Sequence, residues 1–167
     1  MIRAFSTTVL LAIVMALTSC AALSPSERPA YTGADSVSTA KTSQLVGVWK
    51  VTNLNPYPES EPQRTTIEYR ADGSVLGTIV PEGESASAMG NMRFEMTGNW
   101  RLDGDMITHE NMEMNVITDD DNKMMNVLGK MFGKKNGLSG QANIYELSAN
   151  RIVMVGADGG AMEYVRQ

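Results

Sequence analysis

The stretch MRFEMTGNWRL, residues 92–102, alternates between two classes of side chain. One class is apolar or small and comprises Met92, Phe94, Met96, Gly98, Trp100 and Leu102. The intervening positions are polar or charged: Arg93, Glu95, Thr97, Asn99 and Arg101. Because successive side chains of a β-strand point to opposite faces, this period of two predicts a strand with one buried face and one solvated face.

The next segment, residues 106–117, keeps this period less regularly. Thr108 and Glu110 interrupt an otherwise apolar row that contains Met106, Met112, Met114 and Val116. Either a β-bulge shifts the register within the strand, or two polar groups point into the protein interior. The connection at residues 103–105 contains an Asp-Gly pair, which is typical of a hairpin because glycine adopts positive φ at little cost.

The same pattern of short strands and tight turns extends over residues 45–167. Further turn signals lie at residues 71–74, 148–150 and 157–160. They separate eight predicted strands: 46–54, 63–70, 74–80, 92–102, 106–117, 141–147, 151–155 and 161–166. Short turns join antiparallel neighbours, so we predict an all-β, eight-stranded antiparallel up-and-down barrel without free edges.

Residues 119–133 break the strand pattern. Apolar residues recur there at helical spacing: Met124, Leu128, Met131 and Phe132. Aspartates precede this segment and lysines lie near or beyond its end, which suits the helix dipole. We therefore expect one inserted amphipathic α-helix. Its role has three alternatives: a plug over one barrel end, a lid over a pocket, or a contact with a membrane or partner.

The first twenty residues have the layout of a secretory signal peptide. Arg3 supplies a basic start, VLLAIVMAL at residues 9–17 is an uncharged apolar run, and small residues lead to Cys20. This run is far shorter than the roughly 20 residues that a transmembrane helix needs. Residues 17–20, Leu-Thr-Ser-Cys, resemble the lipobox of bacterial lipoproteins.

The lipobox resemblance implies cleavage before Cys20, acylation of its sulfur and its new amino group, and attachment to a membrane. Ala21 after the cysteine resembles lipoproteins sent to an outer membrane, so we expect a lipid-anchored envelope protein that faces the periplasm. The expected organisation is a signal peptide over 1–19, Cys20 with a flexible tether over 20–44, and a barrel over 45–167. For the Ser-, Thr- and Pro-containing tether, an extended arm packed on the barrel is the alternative.

Charge and composition argue against several classes of function. The net charge is −5, and loss of residues 1–19 removes Arg3 and no acidic residue, which leaves −6. Nucleic-acid binding needs clustered Lys and Arg and is not expected. A lone, lipid-bearing Cys20 leaves no disulfide or thiol nucleophile. With one histidine and no Gly-rich phosphate loop, we expect neither a catalytic centre nor a cofactor.

Gly47-Val48-Trp49 opens the first predicted strand, and Arg166 lies in the last. This pair resembles the lipocalins and related calycins, and the resemblance covers about residues 45–167. In that family an arginine of the final strand stacks over the tryptophan and helps to seal one barrel end. The resemblance therefore implies a structural seal between Trp49 and Arg166. A guanidinium stacked on an indole gains about 0.5–2 kcal/mol.

Methionine is unusually frequent, with 13 residues in the chain. Its flexible, polarizable side chain suits adaptable apolar binding surfaces. We predict a pocket for a small hydrophobic or lipid-like ligand, in which Glu110 or Thr108 holds a polar head group. Its wall would contain Met92, Phe94, Met96, Met112, Met114, Met124, Leu128, Met131 and Phe132. The alternative is a filled barrel in a non-catalytic structural or interaction protein, whose partner the sequence does not name.

A lesser hypothesis is a Cu(I) site formed by His109, Met112 and Met114. Thioether and imidazole groups suit this ion. A Met-x-Met near a histidine, with a tryptophan on a neighbouring strand, resembles small periplasmic copper-binding barrels. On a regular strand His109 points away from both methionines, so a bulge is needed to bring the three together.

Overall fold

The computed structural model describes residues 27–83, 86, 92–118 and 138–167. A short helix, α1 (Thr42–Leu45), is followed by eight strands: β1 (Gly47–Asn53), β2 (Gln63–Tyr69), β3 (Ser74–Pro81), β4 (Met92–Asp103), β5 (Met106–Thr118), β6 (Leu138–Leu147), β7 (Arg151–Gly156) and β8 (Ala161–Arg166). Each strand pairs antiparallel with the next, and β1 also pairs with β8. The predicted eight-stranded antiparallel up-and-down barrel is therefore confirmed.

All eight predicted strands are present, and their bounds differ from the prediction by a few residues. The largest difference is at β6, which begins at Leu138 rather than at residue 141. The inserted helix expected over 119–133 lies outside the described residues. The short helix α1 was not predicted, because four residues are too few to show helical periodicity. Within the described ranges, no helix has the length and apolar character needed to cross a bilayer.

A bulge in β5 explains the irregular polar pattern of that strand. Thr97 pairs with Glu113 and Asn99 with Glu110, so β5 has one more residue than β4 between the two pairs. Asn111 lies within this interval and has a positive φ of 52°, a conformation that asparagine tolerates better than most residues. Of the two alternatives predicted for this strand, the register shift is correct.

The strand directions assign each connection to one of two barrel ends. We call one the sealed end; it comprises α1 and the β2–β3, β4–β5 and β6–β7 turns. The other is the open end; it comprises the β1–β2 loop (residues 54–62), the β7–β8 turn (157–160), and the strand ends Pro81, Met92, Thr118 and Leu138. In the β2–β3, β4–β5 and β7–β8 turns, Gly73, Gly104 and Gly159 have the positive φ expected of tight turns.

Most of the large side chains that are fully buried lie toward the sealed end. They are Leu45, Trp49, Tyr69, Ile107, Ile144 and Ile152. The Tyr69 ring packs at their centre, 5.1 Å from the Trp100 ring and 6.4 Å from the Tyr164 ring, measured between centroids. By contrast, interior positions near the open end such as Val51, Ile79 and Phe94 are only half-buried. The barrel is therefore packed in one half and less filled in the other.

Residues 27–41 form an extended arm along the outside of the barrel, from the open end to the sealed end. Three hydrogen bonds fix its backbone: the Asn55 amide donates to Pro29 O, and Ser36 N and Ala40 N donate to Tyr145 O and Gly104 O. Over its described residues, the segment expected as a flexible tether is thus an extended arm packed on the barrel, which was the alternative. Backbone hydrogen bonds and single side-chain contacts such as Arg28 with Asp158 hold the arm, and such contacts leave no apolar periodicity in the sequence.

Candidate functional site

A cavity of about 470 Å³ lies inside the barrel at the open end. The strand register forms its wall, because Thr65 lies opposite both Val51 and Ile79, and Tyr164 lies opposite Val51. Other wall residues are Asn53, Gln63, Ile67, Met96 and Met162, and the polar residues Lys50, Thr52, Arg64 and Glu82 border the cavity. A concave, mainly apolar space with a few polar groups is the usual form of a small-molecule site.

Gly77 makes room for Met96, one of the wall residues of the cavity. Its position on β3 lies opposite Ile67 on β2 and Met96 on β4. A Cβ atom at Gly77 would lie 2.8 Å from the Met96 Cε atom, so the methionine methyl group occupies the space that a side chain at Gly77 would take. Since methionine changes rotamer easily, this part of the wall can adapt to different occupants.

A second apolar recess of about 360 Å³ adjoins the cavity at the mouth of the barrel. Ile79 and Gln63 line both spaces. The remaining residues of the recess are Glu61, Pro62, Pro81, Phe94 and Met114. The apolar surface of the cavity therefore continues outward over the β2–β5 side of the open end.

A chain of polar side chains runs from the cavity wall into the packed half. The Tyr69 hydroxyl lies 2.9 Å from His109 Nε2, and the two rings are stacked with centroids 5.7 Å apart. Burial raises the pKa of Tyr69 well above its ordinary value, and the neighbouring Tyr164 hydroxyl raises it further. Burial also raises the pKa of Tyr164 and lowers the pKa of His109. All three groups are therefore neutral at neutral pH, and only Tyr164 reaches the cavity.

The sealed end is closed by Arg166 and Trp49. The guanidinium carbon lies 4.0 Å from the centroid of the indole ring, which is fully buried. Arg166 donates hydrogen bonds to three backbone carbonyls, those of Gln44, Val46 and Ala149. The Trp49 indole N–H donates to Leu45 O at 2.7 Å. Arginine and tryptophan together thus satisfy the carbonyls around α1, and this helix covers the barrel end.

The predicted ligand-binding residues are distributed unevenly. Met96 lines the cavity, whereas Phe94 and Met114 line the adjoining recess. Met92 is buried at the open end of β4. Met112 lies beside the bulge, where its sulfur would be 2.5 Å from a Cβ atom at Gly98. The helical residues predicted for the pocket, Met124, Leu128, Met131 and Phe132, lie outside the described part of the chain.

The expected head-group residues do not line either space. Glu110 accepts a hydrogen bond from Arg101 Nε at 2.8 Å, and both side chains are about half exposed. The bulge causes this placement, because it moves Glu110 off the row that faces the interior. Thr108 is buried with its hydroxyl oxygen unpartnered among the described residues, and it lines neither the cavity nor the recess.

Sequence reasoning missed much of the cavity wall, in particular Val51, Thr65, Ile79, Met162 and Tyr164. Their strands are only six to eight residues long. Alternation in these strands identifies the inner face but does not say which inner residues border a void. The signal that distinguishes them is the location of Trp49 and Arg166, since the seal fixes which end of every strand lies at the mouth.

The bulge also changes the relation between His109 and the two methionines. His109 lies opposite the buried Trp100, and Met114 lies opposite Met96, so both share the inner face. Met112 is two residues from Met114 and shares that face as well. Nε2 of the imidazole, however, is engaged with the Tyr69 hydroxyl. Among the described residues, no group of three His, Cys, Asp or Glu side chains is arranged to hold a metal ion.

The fold and the cavity define a class: closed antiparallel eight-stranded β-barrels with one end sealed by side chains and, as far as the described residues show, the other uncovered. Comparison of the sequence with family profiles and with curated proteins gives no significant match.

Proposed function

We propose that this protein is a bacterial envelope lipoprotein whose lipocalin-like barrel binds a small hydrophobic or lipid-like molecule. Lipid on Cys20 anchors it, in the outer membrane and facing the periplasm. The cavity at the open end carries the proposal. Its volume of about 470 Å³ falls within the range of small-ligand sites, roughly 300–1,000 Å³.

The distribution of packing supports a binding role over a purely structural one. The sealed half holds most of the fully buried aromatic and aliphatic side chains, so the main core lies there. The open half has half-buried apolar walls and a second recess at the mouth. Tyr164 lies at the inner end of the cavity, and Asn53, Gln63 and Thr65 add polar groups to its wall, so we expect a ligand with an apolar body and a small polar part.

Native mass spectrometry of the mature, lipidated protein tests this function. We expect a non-covalent lipid-sized adduct that is lost on denaturation, whereas the acyl groups of Cys20 remain. Met96→Trp should lower the adduct at least about tenfold by filling the cavity. Thr97→Trp, at the adjacent exposed position, should leave it unchanged. An adduct-free mass from several expression hosts would instead favour a structural or interaction role.

The lipid anchor has its own test. Cys20→Ser removes the acylated residue, and we expect the protein to leave the membrane fraction after cell lysis. Extraction with alkaline carbonate is the control, because it removes peripherally bound protein and leaves lipid-anchored protein in place. A Cys20→Ser protein that still sediments with membranes after this treatment would contradict the anchor.

Cu(I) binding is a second candidate, favoured by one observation. The β5 bulge places His109, Met112 and Met114 on the same inner face, which a regular strand cannot do. Titration with Cu(I) under a competing chelator tests it. Met112→Leu should weaken binding at least about tenfold, and Met106→Leu serves as a control on the same strand. Equal affinities for the two variants would eliminate this site.

A further inference from the structure

The arm leaves the barrel at the open end. The side chain of Arg28 pairs with Asp158 in the β7–β8 turn at 3.2 Å, and its guanidinium lies 4.4 Å from the centroid of Tyr57 in the β1–β2 loop. Pro29 O accepts a hydrogen bond from Asn55 at 2.7 Å. The chain before Glu27 therefore starts beside the mouth of the cavity, although α1 closes the opposite end.

From these contacts we infer that the open end of the barrel faces the bilayer that holds Cys20. This inference rests on the lipid anchor of the proposed function. Only seven peptide steps separate Cys20 from Glu27, and they span at most about 25 Å when fully extended. The two ends of β1 are already about 20 Å apart, so a sealed end facing the membrane would require an almost fully extended tether folded back along the barrel.

The described loop residues at the open end have a composition that suits a lipid interface. Leu54 and Tyr57 are 38% and 36% exposed in the β1–β2 loop, and a tyrosine with one apolar and one polar side is typical of the boundary between lipid and water. The apolar recess lined by Pro62, Pro81 and Phe94 opens beside them. Glu59 and Glu61 lie in the same loop, so we expect contact with a zwitterionic surface rather than attraction to an anionic one.

The consequence is that the cavity opens toward lipid. An apolar molecule could pass from the bilayer to the recess and then to the cavity without crossing the full periplasmic space. The sealed end, with its turns and α1, would point away from the membrane.

Site-specific fluorescence quenching tests the orientation. Because lipid occupies Cys20, an introduced cysteine is the only thiol available for labelling. Ser60→Cys places a fluorophore at the open end and Ala149→Cys places one at the sealed end; both positions are exposed. The lipidated protein is incorporated into phosphatidylcholine–phosphatidylethanolamine vesicles with a nitroxide on a fraction of the headgroups. We expect at least about twofold stronger quenching at residue 60, with no dependence on salt.

Equal quenching, or stronger quenching at residue 149, would overturn the orientation. Insertion of twenty Gly and Ser residues before Glu27 should make quenching at residues 60 and 149 similar, because the longer tether lets either end of the barrel reach the membrane. If the difference in quenching between the two positions did not change, the tether would not be what orients the barrel. Protein that fails to sediment with the vesicles would overturn the anchor and the orientation together. Ligand binding is measured separately by native mass spectrometry, so its failure leaves the quenching contrast as it is.

Discussion

Replacement of Arg166 by methionine tests whether the seal stabilises the barrel. Methionine keeps an apolar stem over Trp49 and removes the guanidinium, which lies 4.0 Å from the indole centroid. Loss of the cation–π contact costs about 1–2 kcal/mol. The part-buried hydrogen bond to Val46 O contributes about 1.5 kcal/mol, and the two exposed bonds about 0.5 kcal/mol each. We therefore expect the free energy of unfolding to fall by about 3–5 kcal/mol.

Urea unfolding of the mature protein, followed by tryptophan fluorescence, measures this change from the shift of the midpoint at constant slope. Arg101→Met is the matched control: its guanidinium pairs with Glu110 on the exposed surface, and such pairs contribute little. Arg166→Lys should be nearly as unstable as Arg166→Met, because an ammonium group cannot stack on the indole and donate to three carbonyls at once. An Arg166→Met protein as stable as Arg101→Met would refute the reasoning.

Gly47 allows a second check of the same contact. It has a φ of +137°, and a Cβ atom there would collide with Nη1 of Arg166. Gly47→Ala should therefore cost less in the Arg166→Met background than in the wild type, because the backbone strain remains but the collision is gone. Strictly additive effects of the two changes would show that Arg166 does not occupy the space over Gly47 in solution.

Three further outcomes follow from other parts of the barrel. Asn55→Ala leaves the buried Ala161 N–H, now bonded to Asn55 Oδ1 at 2.8 Å, without its partner. We expect a loss of about 2–4 kcal/mol in the free energy of unfolding and faster chymotryptic cleavage after Tyr31 in the arm, with Asn99→Ala as the control. Burial lowers the pKa of His109 below 6.5, so as the pH falls the unfolded chain binds a proton before the folded protein does. The free energy of unfolding should therefore decrease below pH 6.5 more in the wild type than in His109→Gln. Parallel curves of stability against pH for the two proteins would contradict this. Asn111 has a φ of 52°, so Asn111→Ala should lower stability by about 1 kcal/mol while Asn111→Gly does not; equal melting temperatures would argue against the bulge.

The barrel was predictable because the sequence signals that specify its strands and turns are local. Alternation in residues 92–102 and the Asp-Gly turns fix strand faces and antiparallel neighbours, and eight such strands leave closure as the arrangement without edges. The contents of the barrel were harder to predict, since they depend on register between strands. One extra residue around Asn111 moves Glu110 to the exposed surface and His109 to the inner face, and alternation alone gave two equal interpretations of that strand.

The sequence left the packed arm as the alternative to a disordered tether, for a different reason. Residues 27–41 carry few apolar side chains, and their composition is typical of a disordered tether. They are held instead by single contacts, such as the Asn55 amide on Pro29 O and the Arg28 guanidinium on Asp158. Each partner is more than 20 residues away in sequence, so no local pattern announces the contact.

The energetics of the cavity bear on whether it has an occupant. If a space of 470 Å³ were closed and dry, a cost of about 24 cal/mol per Å³ would amount to roughly 11 kcal/mol. That equals the whole stability of a typical domain, about 5–15 kcal/mol. Among the described residues the mouth of the barrel is uncovered, so water can enter and the apolar wall stays hydrated. A ligand that covers this wall gains about 25 cal/mol for each Å² of apolar surface that it removes from water. In Met96→Trp the indole ring would cover the same wall, so the chain itself would supply this stabilisation. Met96→Trp should therefore reduce ligand binding and raise the melting temperature of the ligand-free protein. If ligand binding and the melting temperature both fell, the space would instead be part of the packed core.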